Sequence, residues 1–391
     1  MCLKESLIIV KKLKILLTSL VLSSCSADIS DTYSETFSQE NEDIVMCTFD
    51  LREGQNDLTL KSNAAIIDPR WEIGQTIKIK FLDGTNSQHE IVKKYASEWV
   101  KYANLKFEYV PKDQDAHIKI AINIGTPGTW SQLGAIGMYP SPLFSNVQNT
   151  PTMRLGAISD NESSRRTILH EFGHALGLVH ETTNPAATIK WDLPKVYKYY
   201  YDLMDWSKEK VDQSVINKAN STNYSEYDPL SIMHYYVPAS LTTNGVAVYE
   251  QSTLSRIDKE SILKWYPFAV RSVIETGERI DLACYRKCIK SPNGRYSLEF
   301  DSGCLFILDN SNNQKIWLVG SPIYNNAMCF FSNSGEIGIL GSRPNGMFLQ
   351  EIVWRSKISG ITNAQLHLQD NGDLELIQNG VVKWSAKKGK I

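Results

Sequence analysis

The chain has 391 residues, a formal net charge of −2 and 42% hydrophobic residues. That length allows two or three domains, and that composition excludes wholesale disorder. The near-neutral balance, with no basic stripe, excludes nucleic acid as the main partner and encodes no preference for acidic or basic substrates.

The first residues, MCLKESLIIVKKLKILLTSLVLSSC, set Lys4, Lys11, Lys12 and Lys14 ahead of the short apolar run ILLTSLVL. Such a run is too short to span a bilayer but suits the roughly 7–15 apolar residues of an export signal; a buried N-terminal helix is the plainer alternative. Its close, Leu22-Ser23-Ser24-Cys25, resembles a bacterial lipobox. That implies a lipoprotein-type signal peptide over 1–25 and lipidation of Cys25. The chain then reads as exported, either as an outer-membrane or cell-surface lipoprotein or as a secreted protein. Residues 26–65 are polar and acidic with little periodicity and read as a linker or pro-segment. Cys47 stands alone there, whereas Cys284, Cys288, Cys304 and Cys329 cluster in the last third. In an exported chain that cluster suggests disulfides.

Regular structure is expected from near Trp71. IKIKFLDG alternates like a strand that turns at Asp83-Gly84, and SQHEIVKKYASEWVKYANL spaces Ile91, Tyr95, Trp99 and Tyr102 at helical intervals. AHIKIAINI is a second strand, followed by the Gly/Pro-rich GTPGTWSQLGAIGMYPS; together these predict a mixed α/β lobe. ESSRRTILHEFGHALGLVH reads as a helix with Ser163 as N-cap, an apolar face of Ile168, Leu169, Phe172, Ala175 and Leu176, and an end at Gly177. Shorter helices are expected around VYKYYYDL and IDKESILKWY. After Pro267 three segments look alike, each placing a glycine (Gly303, Gly335, Gly372) between alternating runs and closing on Trp317, Trp354 or Trp384. One hairpin cannot bury its own apolar face, so three repeats are expected to pack together.

The stretch HEFGHALGLVHE carries the chemistry. His170 and His174 lie one helical turn apart, so their imidazoles leave the same face, the spacing two ligands of one tetrahedral metal need. Glu171 can face a water without taking a coordination site. Gly177 permits the positive φ that returns the chain, bringing His180 to the same metal from outside the helix. Three neutral nitrogens leave a fourth position for water, whose pKa zinc can bring down to about 7, and Glu171 would take its proton. One catalytic Zn2+ and a protein or peptide substrate are expected. His234, His89, His117 and His367 lack partners at metal spacing and read as turn, surface or strand residues.

HExxHxxGxxH resembles the metzincin metallopeptidases. Glu181 after the third histidine and Ser231-Ile232-Met233-His234-Tyr235 downstream are similar to the astacin-like group. The resemblance implies a metzincin-type two-lobed zinc peptidase domain over 66–267. It implies Met233 as the hydrophobic floor of a Met-turn and Tyr235 as a switchable metal ligand that stabilises the oxyanion. Glu181 is then a family marker, tied in relatives to the mature N-terminus. GTWSQLG resembles the rim strand on which substrate adds as a further strand. The sequence departs from the family in having no cysteine in this region, TTNP after Glu181, and no FxGD pro-segment motif. Cys47 and Asp50 stand where such a block would lie, with an incidental cysteine the plainer reading.

Residues 272–391 resemble the bulb-type mannose-binding lectins, through SPNGRYSLEF and LQDNGDLELIQNGVVKW. The implied fold is an all-β β-prism of three four-stranded sheets, with a Cys304–Cys329 disulfide and with Cys284 and Cys288 paired together or free. The overall class is therefore α+β followed by β-prism. The family's sugar motif, QxDxNxVxY, has become Gln369, Asn371, Asp373, Glu375 and Ile377 in the third repeat and is further eroded in the first two. A carbohydrate or cell-surface ligand is one expected partner, and a structural or protein-binding role competes with it. Two other readings compete with an active peptidase of the astacin branch. One is a binding module with an ancillary protease lobe; the other is a metzincin of another branch. The intact ligand and base set disfavours the first, and Glu181 with SIMHY disfavours the second.

Overall fold

The computed structural model describes residues 70–125, 128–135, 147–218, 224–344 and 349–390. The export segment, Cys25, the 26–65 segment, Cys47 and Asp50 lie outside the described residues. The first lobe contains β1 (Thr76–Phe81), α1 (Asn86–Ala96), β2 (Lys106–Tyr109), β3 (Ile118–Ala121), β4 (Trp130–Ser131), β5 (Met153–Arg154) and α2 (Glu162–Ala175). Its sheet runs β2-β1-β3-β5-β4, parallel except for β4, which pairs antiparallel with β5 at one edge. The alternation of β1 puts Ile77 and Ile79 in the core, as the IKIK pattern requires. Lys80 is buried as well, and its ammonium donates to Gln114 O at 2.9 Å.

Two helical expectations change in detail. The first helix stops at Ala96 and resumes as a single tight turn at Trp99–Lys101. Ser97 Oγ there donates back to Lys94 O at 2.7 Å, a local bond that competes with continued helix. The N-cap of α2 is Asn161, not Ser163: Asn161 Oδ1 accepts the Ser164 N–H at 2.8 Å. Beyond α2 come α3 (Leu193–Met204), α4 (Lys208–Val211) and α5 (Arg256–Trp265), the last started by a reciprocal cap between Ser255 and Asp258. One apolar cluster, from Trp71 to Tyr266, joins the sheet, α1, α2 and α5, and a smaller one gathers Val196, Tyr200, Val211, Val215, Tyr235 and Leu241.

The C-terminal part consists of β6 (Val273–Glu275), α6 (Ile280–Tyr285), β7 (Tyr296–Asp301), β8 (Cys304–Asp309), β9 (Gln314–Gly320), β10 (Asn325–Phe331), β11 (Ile337–Ser342), β12 (Glu351–Arg355), β13 (Gln365–Leu368), β14 (Leu374–Gln378), β15 (Val381–Ser385) and β16 (Gly389–Lys390). Each repeat forms its own antiparallel sheet, and the three share one core. Their tryptophans converge, with Trp317 6.1 Å from Trp354 and 6.2 Å from Trp384, ring centre to ring centre. Among the described residues the sheets hold three, three and five strands rather than four each. β6 adds to the last through β13, while only the single bridges Lys290–Ser297 and Arg279–Phe330 extend the other two at β7 and β10.

The implied Cys304–Cys329 disulfide is not formed; Cys284, Cys288, Cys304 and Cys329 are all free and buried. Strand alternation gives the reason. On β8 the core residues are Leu305 and Ile307, which turns Cys304 to the opposite face, whereas Cys329 shares the core face of β10 with Phe331. The two parts of the molecule meet through α6. Arg286 Nε donates to Lys101 O at 2.8 Å, and Tyr285 meets Tyr102 edge to face at 5.1 Å.

Candidate active site

The end of α2 shapes the site. Gly177 adopts φ +103°, Leu178 N–H bonds Gly173 O at 2.9 Å and Gly177 N–H bonds His174 O at 2.8 Å. This is the paired closure of a helix on a left-handed residue. The chain reverses and sets His180 opposite the helix. His170, His174 and His180, all buried, bring one nitrogen each to within 4.8 Å of one another. Among the described residues they form the one such group of metal-binding side chains. His174 Nε2 and His180 Nε2 are 3.0 Å apart, near the roughly 3.3 Å that two zinc-bound nitrogens at about 2.0–2.1 Å from the metal would have.

The donor chemistry fits zinc. His170 Nδ1 lies 2.8 Å from Ile232 O, and His174 Nδ1 lies 2.7 Å from Leu178 O. A carbonyl only accepts, so each Nδ1 carries the proton and each Nε2 keeps its lone pair for the metal. His170 Nε2 is buried with no hydrogen-bond partner, a cost that a bound cation removes. Burial holds His170 and His180 well below the ordinary imidazole range and His174 at about 4, so all three are neutral near pH 7.

Around this centre, Met233 packs under α2. A β-carbon on Gly173 would come within 2.4 Å of Met233 Sδ, so the glycine makes room for the methionine. Glu171 is 1% exposed, and Tyr235 packs its ring 4.0 Å from that of His180. His234 stays out of the cluster; its nitrogens meet Tyr227 Oη at 2.9 Å and Tyr235 O at 2.7 Å. His89, His117 and His367 are elsewhere, bonded to Asp83 O, Lys78 N–H and Gln365.

Glu181 is buried beneath the site. Its Oε1 accepts from Asn184 Nδ2 at 2.7 Å and from Asp228 N–H at 2.9 Å, and burial raises its carboxyl to about 8. Two residues of the site carry no sign of their part in the sequence reading. Asn184 is the Glu181 partner. Asp258 accepts from Ser231 Oγ at 2.7 Å, Ile232 N–H at 2.8 Å and Ser255 N–H at 2.9 Å. Asp258 thereby fixes the peptide before Ile232 directly. The following peptide, whose carbonyl orients His170, is held through Ser231 Oγ, which accepts the Met233 N–H at 3.0 Å. The spacing Ser255-x-x-Asp258 is a visible sign of a helix cap, though not of this second task.

The family profile described as Astacin, a peptidase family, matches residues 66–261, half of the chain. The chain belongs to the astacin family. Myroilysin, among solved structures, is 37% identical to this astacin over 53% of this chain and 99% of its own, with a TM-score of 0.48. High choriolytic enzyme 1, a hatching-enzyme zinc-protease from Oryzias latipes (medaka fish), is 17% identical over 50% and 94%, with a TM-score of 0.35. A monomeric monocot mannose-binding lectin from Gastrodia elata is 19% identical over 30% and 90%, with a TM-score of 0.22. No curated protein matches the chain. As an astacin, the protein is a zinc metalloendopeptidase with one catalytic zinc, and the three-histidine cluster is a donor set suited to it.

Proposed function

We propose that His170, His174 and His180 hold the catalytic zinc through their inner nitrogens, that Glu171 is the general base and that Tyr235 stabilises the oxyanion. The observation that carries the reading is the convergence of three neutral imidazoles, two of them with Nδ1 tied to backbone carbonyls. Zinc bound there supplies a Lewis acid that polarises the scissile carbonyl and brings water's pKa to about 7. Glu171 accepts the proton of the attacking water and passes it to the leaving amine. The Tyr235 hydroxyl donates to the oxygen on which charge develops. The substrate backbone extends the sheet at β4, which is the last strand of that sheet among the described residues. Glu171→Gln should keep one zinc per chain and lose cleavage of a protein substrate by about 10²–10⁴-fold. A variant that keeps zinc and cleaves like wild type would sink the mechanism.

The C-terminal module is read as a targeting or binding appendage. In its third repeat Asp373 is committed internally, to Ser385 Oγ at 2.7 Å and the Lys387 N–H at 3.2 Å, and Gln369 donates to Glu375 at 2.9 Å. This favours a surface or protein ligand over a sugar held in the lectin manner. A glycan array probed with the full chain decides between them, and strong binding to a mannose glycan would reverse the preference. Export with lipid on Cys25 is supported by the basic-then-apolar leader alone. Mass spectrometry of the mature N-terminus tests it, and an unmodified Cys25 inside an uncut chain would refute it.

A further inference from the structure

Glu250 has no task in the reaction as described, yet it bridges the two elements that carry that reaction. Its carboxylate accepts the backbone N–H of Tyr236 and pairs with the guanidinium of Arg166, 84 residues away. Arg166 stands one helical turn before His170 on α2, so the two side chains share a face, and its charge bears on the His170 ring. Both members of the pair are largely covered, with side-chain exposures of 17% for Arg166 and 28% for Glu250.

On the other side, the peptide between Tyr235 and Tyr236 is held at both ends. Its carbonyl, Tyr235 O, meets His234 Nδ1 at 2.7 Å, and its N–H meets Glu250. Next along the chain, Val237 and Val248 exchange both backbone bonds, at 2.8 and 3.0 Å, which keeps residues 236 and 250 on one narrow arm. Rotation of that peptide would swing the Tyr235 ring, which lies 4.0 Å from His180 and 6.0 Å from His170. A partly covered ion pair adds little stability over an apolar pair of the same size. A fixed peptide plane is something an apolar pair cannot supply.

We propose that Glu250, anchored by Arg166, is a positioning residue that sets the Tyr235 hydroxyl relative to the zinc-ligand helix. The proposal rests on the reading of Tyr235 as oxyanion stabiliser. The test is a double-mutant cycle of Glu250→Ala and Tyr235→Phe, with kcat, KM and zinc content measured for each chain. Glu250→Ala should lower kcat by about tenfold with KM changed by less than about threefold, because an interaction felt in the transition state is lost. In the Tyr235→Phe background the same change should alter kcat by less than about twofold, since the group being positioned is gone. Glu250→Gln, which keeps an acceptor oxygen for the Tyr236 N–H, should recover most of the rate. If Glu250→Ala fails to hold one zinc, Arg166→Gln is taken through the same cycle, with the same non-additivity expected. Effects that multiply independently, or a wild-type kcat in Glu250→Ala, would overturn the positioning role while leaving Tyr235 in place. A wild-type kcat in Tyr235→Phe alone would overturn the oxyanion reading itself, and this proposal with it.

Discussion

Gly173 carries no chemistry of its own, but it decides how closely Met233 approaches the zinc-ligand helix. A β-carbon there would meet Met233 Sδ at 2.4 Å and Trp99 at 3.2 Å. Gly173→Ala should therefore cost about 1–3 kcal/mol, the usual range for overpacking, read by urea unfolding. An unchanged midpoint would show that the methionine moves aside freely. The contrast with its neighbours explains what the sequence could reveal. His170, His174, His180, Glu171 and Gly177 are legible because their roles follow from spacing along one helix and its closing turn. Gly173, Asn184 and Asp258 act through contacts with residues distant in sequence or through a loop fold. Their motif positions alone say nothing of those partners.

The link between α5 and the zinc site passes through Asp258, which caps its own helix and grips Ser231 and Ile232. Asp258→Ala should weaken zinc binding by about 10–100-fold, as loss of a group that orients a ligand does. Competition with a chromophoric chelator measures it, and wild-type affinity would place the orienting force elsewhere. In the C-terminal sheets, Arg295 and then Ser311 hold the Asp309 carboxyl down from the ordinary 3.8 to about 2. A depressed folded pKa means the stabilisation is complete above about pH 4 and is lost as pH falls toward 2. Asp309→Asn should accordingly lower the thermal midpoint at pH 5 and converge with wild type near pH 2. A gap of the same size at both values would contradict the ion-pair account. Strand periodicity predicted these elements but not their full burial. Alternation in IKIK and in HIKI sets the lysines opposite the isoleucines, and Lys78 is exposed accordingly. Lys80 and Lys119 are nevertheless covered, because alternation along one strand cannot report what packs over the sheet.

At the scale of the whole molecule, the peptidase cores end at Tyr266 and a separate core begins at Ile274. A ligand that binds only one folded core stabilises only that core. Stripping zinc with a chelator should therefore shift one calorimetric transition downward and leave the other in place; a single transition that moves as a whole would show the cores to be coupled. The three-fold repeat was legible because the same glycine and tryptophan recur in each segment. Recruitment of β6 to the last sheet was not, since a three-residue strand before the repeats carries no period.

The zinc site itself is tested most directly by X-ray absorption at the zinc edge of the purified chain. The expected spectrum shows only light-atom ligands, at about 2.0–2.1 Å, with the outer-shell scattering of three imidazoles. A sulfur ligand at about 2.3 Å, or fewer than three imidazoles, would contradict the assignment of His170, His174 and His180.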